Sequence, residues 1–195
     1  MRKEHDMSET VEFIKYITDQ FDSNNIIYWL DCGTLLGAYR ESNIIHDDFD
    51  IDISTFEIDS DKVDKLFEKM LNDGDIKKLE GGKWKEGKLY QLCSLKHEPS
   101  LRMDIYVFKK EGLYSHAKFF SDETVHRLKI NNKDIEQFSK IKLGDYYFRS
   151  PINLDHYLRV RYGKNFMIPQ KKCEELNKDW DFVGDNVGDE FLYEY

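Results

Sequence analysis

The stretch DFDIDIS, Asp48 to Ser54, decides how this chain is read. Acidic and apolar residues alternate strictly through it, the pattern of a β-strand with one face in a core and the other outside it. Residues two apart in a strand share a face and sit about 6.5–7 Å from one another. Asp48, Asp50 and Asp52 therefore fall on one face, and Phe49, Ile51 and Ile53 on the other. Three carboxylates held side by side repel one another, and burial without a partner raises their pKa values until some are neutral. A divalent cation removes that cost. Oxygen ligands without a thiolate or imidazole cluster point to Mg²⁺ or Mn²⁺. An EF-hand loop would also begin with Asp48, Asp50 and Asp52. Its sixth position needs Gly and is Ile53 here, and its twelfth needs Glu and is Asp59, so that loop is rejected.

Outward from this strand the charge is uneven. Eight acidic residues and no Lys or Arg lie between Glu41 and Asp61, a charge of −8 within a chain whose net charge is −9. Such a run is either a solvated loop or a site awaiting a cation, and the alternation favours the site. A further acid stands in LRMDIYVF (Leu101 to Phe108), where Asp104 interrupts a strand that otherwise reads as core. If that strand lies beside DFDIDI, Asp104 completes a ligand set, and Arg102 on the same face pairs with it or with a substrate phosphate. Ahead of the acidic run, Gly33-Thr34 opens a helix whose free N–H groups suit a phosphate, and Arg40 is a bidentate donor of the same kind.

The remaining elements follow from periodicity. Asp6 to Phe21 and Asp59 to Asn72 read as amphipathic helices, with Asp6 and Glu9 resembling a capping box on the first. Ile26 to Asp31 reads as a strand that Gly33 breaks, and Thr34 to Arg40 as a short helix. Lys88 to Leu95, Leu101 to Phe108 and Lys142 to Ser150 read as strands. Pro151 starts a helical stretch that Gly163 stops, and Arg159, Arg161 and Lys164 near it either guide an anionic donor or form a solvated face. The segments Gly81 to Lys88 and Tyr114 to Gln137 carry no decisive motif, and Asn177 to Tyr195 has little periodicity.

Composition sets the outer bounds. With 195 residues, 40% hydrophobic and 14% aromatic, the chain suits one domain with an ordinary core. No apolar run approaches the ~20 residues that span a bilayer, and the polar start MRKEHDMSET does not read as a signal peptide. Three widely spaced cysteines argue for a reducing compartment, hence a cytoplasmic expectation, and against a disulfide scaffold or zinc site. The acidic balance disfavours a nucleic-acid partner.

Taken together, LDCGTLLGAYRESNIIHDDFDIDIS (Leu30 to Ser54) resembles the signature of the LicD family, which includes fukutin and fukutin-related protein: Gly-Thr-Leu-Leu-Gly-x-x-Arg, a short link, then Asp-x-Asp-x-Asp. LRMDIYVF resembles the family's later strand with a single Asp, and SPINLDHYLRVRYGKNF (Ser150 to Phe166) its late Tyr-Leu…Tyr-Gly helix. The resemblance implies an α+β, nucleotidyltransferase-like fold, a short mixed β-sheet flanked by helices with the acidic strand near its middle. It divides the chain into an N-terminal helix packed on the core (1–25), a catalytic domain (26–170) and a tail (171–195). It implies a metal-dependent transferase that moves a phosphorylated small alcohol from a CDP-activated donor, such as CDP-choline or CDP-ribitol, to a glycan hydroxyl and releases CMP. By position, Asp50 and Asp52 correspond to the metal-binding pair, Asp104 to the third carboxylate, with Asp48 as a further ligand, and Gly33, Thr34 and Arg40 to nucleotide or phosphate contacts. The hydroxyl proton is left to either Asp104 or Asp48. The alternatives are a nucleotidyltransferase that releases pyrophosphate and an inactive module of the same fold that binds glycan or protein. His46-Asp47 stands where the family usually has a bulky residue such as Trp, and His46 is read as a loop residue rather than a base.

Overall fold

A computed structural model of the chain describes residues 7–46, 48, 50–78, 89–95, 101–121, 124–169 and 192–194. In order, they form α1 (Met7–Ser23), β1 (Tyr28–Leu30), α2 (Cys32–Glu41), β2 (Asp50–Phe56), a 3₁₀ turn (Glu57–Asp59), α3 (Ser60–Asn72), β3 (Ile76–Lys78) and β4 (Leu89–Ser94). After these come β5 (Arg102–Glu111), β6 (Tyr114–Ser121), β7 (Thr124–Asn131), α4 (Asn132–Ile135), β8 (Phe138–Leu143), β9 (Tyr146–Pro151), α5 (Leu154–Tyr162) and β10 (Leu192–Glu194). The architecture is α+β, a mixed sheet flanked by helices, as expected.

The sheet runs β1-β2-β5-β6-β7-β10, with β4 and then β3 added on β5 and a separate β8-β9 hairpin. Every described pair is antiparallel except β2 with β5. That parallel pair requires a crossover, which α3, β3 and β4 supply.

Register explains how one strand serves both core and site. Ile51 and Ile53 lie opposite Met103 and Ile105, and Tyr90 opposite Ile105, so these apolar side chains share one face. All are buried. The helices α1 and α3 cover that face through Phe21 and Phe67, whose rings lie 5.9 Å apart, with Phe67 5.4 Å from Tyr90 and Phe21 6.0 Å from Tyr28. The other face carries Trp29, Ser54, Phe56, Tyr106 and Phe108 toward one end, and Asp50, Asp52, Arg102 and Asp104 toward the other. Its aromatic end is sealed by β8 and α5. Trp29 stacks 5.6 Å from Phe138, and its indole N–H donates to Tyr157 Oη at 3.0 Å. Among the described residues, these elements seal the aromatic end of the face and not the carboxylate end.

Several sequence expectations shift. The acidic strand begins at Asp50, so Asp48 precedes it; Asp47 and Phe49 lie outside the described residues. Lys142 to Ser150 is not one strand but the two arms of a hairpin, folded at Gly144, whose φ of +58° suits glycine. Pro151 does not start a helix. It ends β9 opposite Phe138, Ile152 N–H donates to Gln137 O at 3.1 Å, and α5 begins only at Leu154. Tyr114 to Gln137, which carried no motif, holds β6, β7 and α4, while Gly81 to Lys88 lies outside the described residues. Within the tail, Leu192–Glu194 pairs with β7, and the rest of 171–195 lies outside. So does Asp6 of the expected capping box.

Candidate active site

The N-terminus of α2 is built around Asp52. Asp31 N–H donates to Asp52 O at 3.1 Å, extending the β1–β2 pairing by one residue. The chain then turns through Cys32, whose φ of +42° is unusual for a residue with a side chain. The Asp31 carboxylate caps the helix, accepting from Cys32 N–H at 2.7 Å. Gly33 N–H donates to Asp52 Oδ2 at 3.1 Å, and Thr34 Oγ1 accepts from Asp52 N–H at 2.9 Å. The Gly-Thr pair thus holds the acidic strand itself. A Cβ on Gly33 would collide with the Asp48 carboxylate and come within 3.6 Å of Asp52 Oδ2, which places Asp48 and Asp52 over the same glycine.

Across the sheet, Asp50 faces Arg102 and Asp52 faces Asp104, so the strand pairing on which the sequence argument depended is present. Asp52 and Asp104 are both buried. Asp104 accepts from Gln91 Nε2, at 3.2 Å for Oδ1 and 3.4 Å for Oδ2, and Asp52 Oδ1 accepts from Tyr106 Oη at 3.3 Å. Burial, then the charges of Asp50, Asp104, Asp48 and Asp31, raise the Asp52 carboxyl well above the usual range. Burial and Asp50 lift Asp104 to about 6, against the opposing pull of Gln91 and Arg102. Burial likewise pushes the Cys32 thiol and the Tyr106 phenol far up, so both stay protonated near neutrality.

Arg40 is placed elsewhere. It sits in the last turn of α2, about 10 Å along the axis from Gly33 by helical rise. Its guanidinium donates to Phe166 O and, at 3.3 Å, to Ile168 O. Arg161 is neither a guide for a donor nor a solvated side chain: it is buried and donates twice to Asp31, from Nε at 3.1 Å and from a terminal nitrogen. Asp31 also accepts from Ser54 Oγ. Arg159 pairs at the surface with Asp155 at 2.6 Å. His46 is exposed in a turn, as a loop residue should be. Sequence reasoning passed over Asp31, Gln91, Tyr106 and the role of Arg161. Asp31 had a legible signal, an Asp directly before a helical stretch; the others become neighbours of the site only through long-range pairing.

The residues fit a hard divalent cation in donor chemistry and in register. Asp50, Asp52 and Asp104 offer carboxylate oxygens from paired positions on two strands, Asp48 adds another, and burial together with neighbouring carboxylates makes the charged forms of Asp52 and Asp104 costly. Among the described residues, no three His, Cys, Asp or Glu side chains converge closely enough to hold an ion, so binding would have to draw these carboxylates together against their repulsion.

Comparison with known proteins gives a relative and a family. A 100-residue stretch, 51% of the chain, is 32% identical to an uncharacterized protein of Rickettsia typhi, and it spans 28% of that relative's length. The family model described as "LicD/FKTN/FKRP, nucleotidyltransferase domain" matches residues 25–153, about two thirds of the chain. That match takes in the Gly-Thr helix start, the acidic strand and its partner β5, and on it the chain belongs to the LicD family.

Proposed function

We propose that this protein transfers a phosphorylated small alcohol from a CDP-activated donor to a hydroxyl of a glycan and releases CMP. The family is generally one of transferases of phosphorylated groups. The observation that carries the reading is the side-by-side placement of buried Asp52 and Asp104 on neighbouring strands, with Asp50 and Asp48 beside them. Asp50, Asp52 and Asp104 would hold Mg²⁺ or Mn²⁺, which when bound neutralises charge on both carboxylates and diphosphate. Gly33 N–H and the Thr34 hydroxyl keep Asp52 in place, and Gln91 orients Asp104. Arg102, beside Asp50 and Asp104, faces a phosphate of the donor. The acceptor oxygen attacks the distal phosphorus, a new O–P bond forms, and the bond to the bridging oxygen breaks with its electron pair leaving on CMP. The hydroxyl proton passes to Asp48, a half-exposed carboxylate that lies over Gly33 beside Asp52. Positioning and charge compensation supply most of the rate.

The nucleotidyltransferase domain of the matched family supports a second reading, attack on the α-phosphorus of a nucleoside triphosphate with pyrophosphate as leaving group. The released product decides between them. A panel of CDP-alcohols is screened for Mg²⁺-dependent thermal stabilisation, and products are then followed with a glycan acceptor. CMP release supports the first reading and pyrophosphate release from a triphosphate the second. Absence of Mg²⁺-dependent stabilisation by every CDP-alcohol and every nucleoside triphosphate tried would overturn both.

A further inference from the structure

We propose that Arg161 is a positioning residue for the carboxylate site, acting through Asp31 and the first turn of α2 on Asp52. This rests on the reading of Asp52 as a working carboxylate. Arg161 lies in the last turn of α5, beyond the segment that the family model matches. Only 6% of its surface is exposed, and its partner Asp31 has none exposed. Burial opposes its charge; the Asp31 carboxylate, through charge and hydrogen bond, is the chief opposing influence, and the guanidinium is held firmly protonated. Asp31 is the junction. It accepts from Arg161, from Ser54 on β2 and from Cys32 N–H, while its own N–H reaches Asp52 O. Two residues further on, Gly33 N–H holds the Asp52 carboxylate.

Between them, Cys32 carries a positive φ, a conformation that persists only where surrounding contacts impose it. Asp31 supplies such a contact through its bond to Cys32 N–H, and Arg161 holds Asp31. The Arg161–Asp31 pair joins this helix end to the α2 N-terminus, and the hydroxyls of Tyr157 and Tyr162, also on α5, feel the charges of Asp31 and Arg161. Outer partners that orient metal-binding carboxylates typically govern 10- to 100-fold in metal affinity or activity.

The test compares full-length wild type with Arg161→Lys, the double variant Asp31→Asn/Arg161→Met and the control Arg159→Met on the exposed side of α5. Removing both charges avoids leaving Asp31 buried alone. Two readouts are taken: hydrogen exchange of the Gly33 amide against those of Ile53 and Ile105 in the sheet, and the Mg²⁺ dissociation constant by titration. The expected result is selective loss of Gly33 protection with sheet amides intact, and an Mg²⁺ constant raised about 10-fold or more in the double variant. Arg161→Lys should show a partial effect, and Arg159→Met none. Where CMP release is measurable, kcat should fall with little change in KM for the donor.

Wild-type protection of Gly33 and wild-type Mg²⁺ affinity in the folded variants would overturn the proposal, as would global unfolding of both variants, since Arg161 would then hold the domain rather than the site. If wild type fails to bind Mg²⁺ while Gly33 protection still depends on Arg161, the positioning role stands and the metal-dependent function falls.

Discussion

Burial and the charge of Asp50 lift the Asp104 carboxyl from the ordinary 3.8 to about 6, and the consequence for stability has a definite sign. Between about pH 4 and pH 6 the ion-free folded protein keeps a proton that the unfolded chain has already lost. This residue's contribution to stability therefore falls as pH rises through that window, and the penalty is complete above it. A shift of about two units corresponds to about 3 kcal/mol at neutrality. Asp104→Asn keeps an acceptor for Gln91 and removes the titration. Without divalent ions, the variant should match wild type near pH 3.5, below both pKa values, and exceed it by up to about 3 kcal/mol at pH 7.5, measured by urea unfolding at each pH. A stability difference that does not change with pH would show that Asp104 is not charged under strain. The acids themselves were legible, because alternation alone puts Asp50 and Asp52 on one face and isolates Asp104 in an apolar strand. Gln91 was not. It joins the site only because β4 pairs with β5 in a register that sets Gln91 opposite Asp104.

At the scale of elements, α2 depends on its second glycine for a reason unrelated to dihedral freedom. A Cβ on Gly37 would stand 2.5 Å from Asn43 O and 2.9 Å from Ile45 N, both main-chain atoms of the segment that leads into the acidic strand. Backbone cannot rotate away as a side-chain tip can, so Gly37→Ala must push the helix and that segment apart. The expected loss is about 1–3 kcal/mol, seen as a lower urea midpoint with unchanged slope. Stability equal to wild type would mean that the close approach is absent. The sequence showed α3 almost to the residue, Asp59 to Asn72 against Ser60–Asn72, because a four-residue apolar period and a clear Asn-Asp-Gly-Asp stop frame it. The hairpins were harder. Lys142 to Ser150 hides a two-residue turn at Gly144-Asp145 inside a strand-like run, and no Gly or Pro stands in the sequence between the paired residues Ser121 and Thr124. Helix periodicity survives in a single segment, whereas strand pairing must be supplied by a partner elsewhere in the chain.

For the whole molecule, what the sequence conceals is the connection between distant parts: Asp31 and Arg161 are 130 residues apart, and neither residue announces the other. What it discloses is the charge balance, −8 concentrated between Glu41 and Asp61 out of a net −9. Among the described residues no helix is long and apolar enough to cross a membrane, so this charge is carried by a chain without such a helix in the described part. A folded state that gathers carboxylates unfavourably gains from any cation that binds it and not the unfolded chain. At a Mg²⁺ concentration near 100 times its dissociation constant the gain is about 2.7 kcal/mol, or about 5–10 °C in Tm for a domain of this size. Protons compete with the ion for the same oxygens, and Asp104 must release one before it can serve as a ligand. The Tm shift produced by Mg²⁺ should therefore be largest above pH 7 and shrink as pH falls through about 6. Matched NaCl, which only screens, should give a smaller shift with a weaker dependence on pH. Scanning calorimetry across that range, with Asp50→Asn alongside, separates binding from screening: the variant removes a ligand together with a repulsive charge, so its ion-free Tm should hold or rise while its response to Mg²⁺ collapses. A shift that is the same at pH 5 and pH 7.5, or that survives in Asp50→Asn, would place the ion on the acidic surface rather than between β2 and β5.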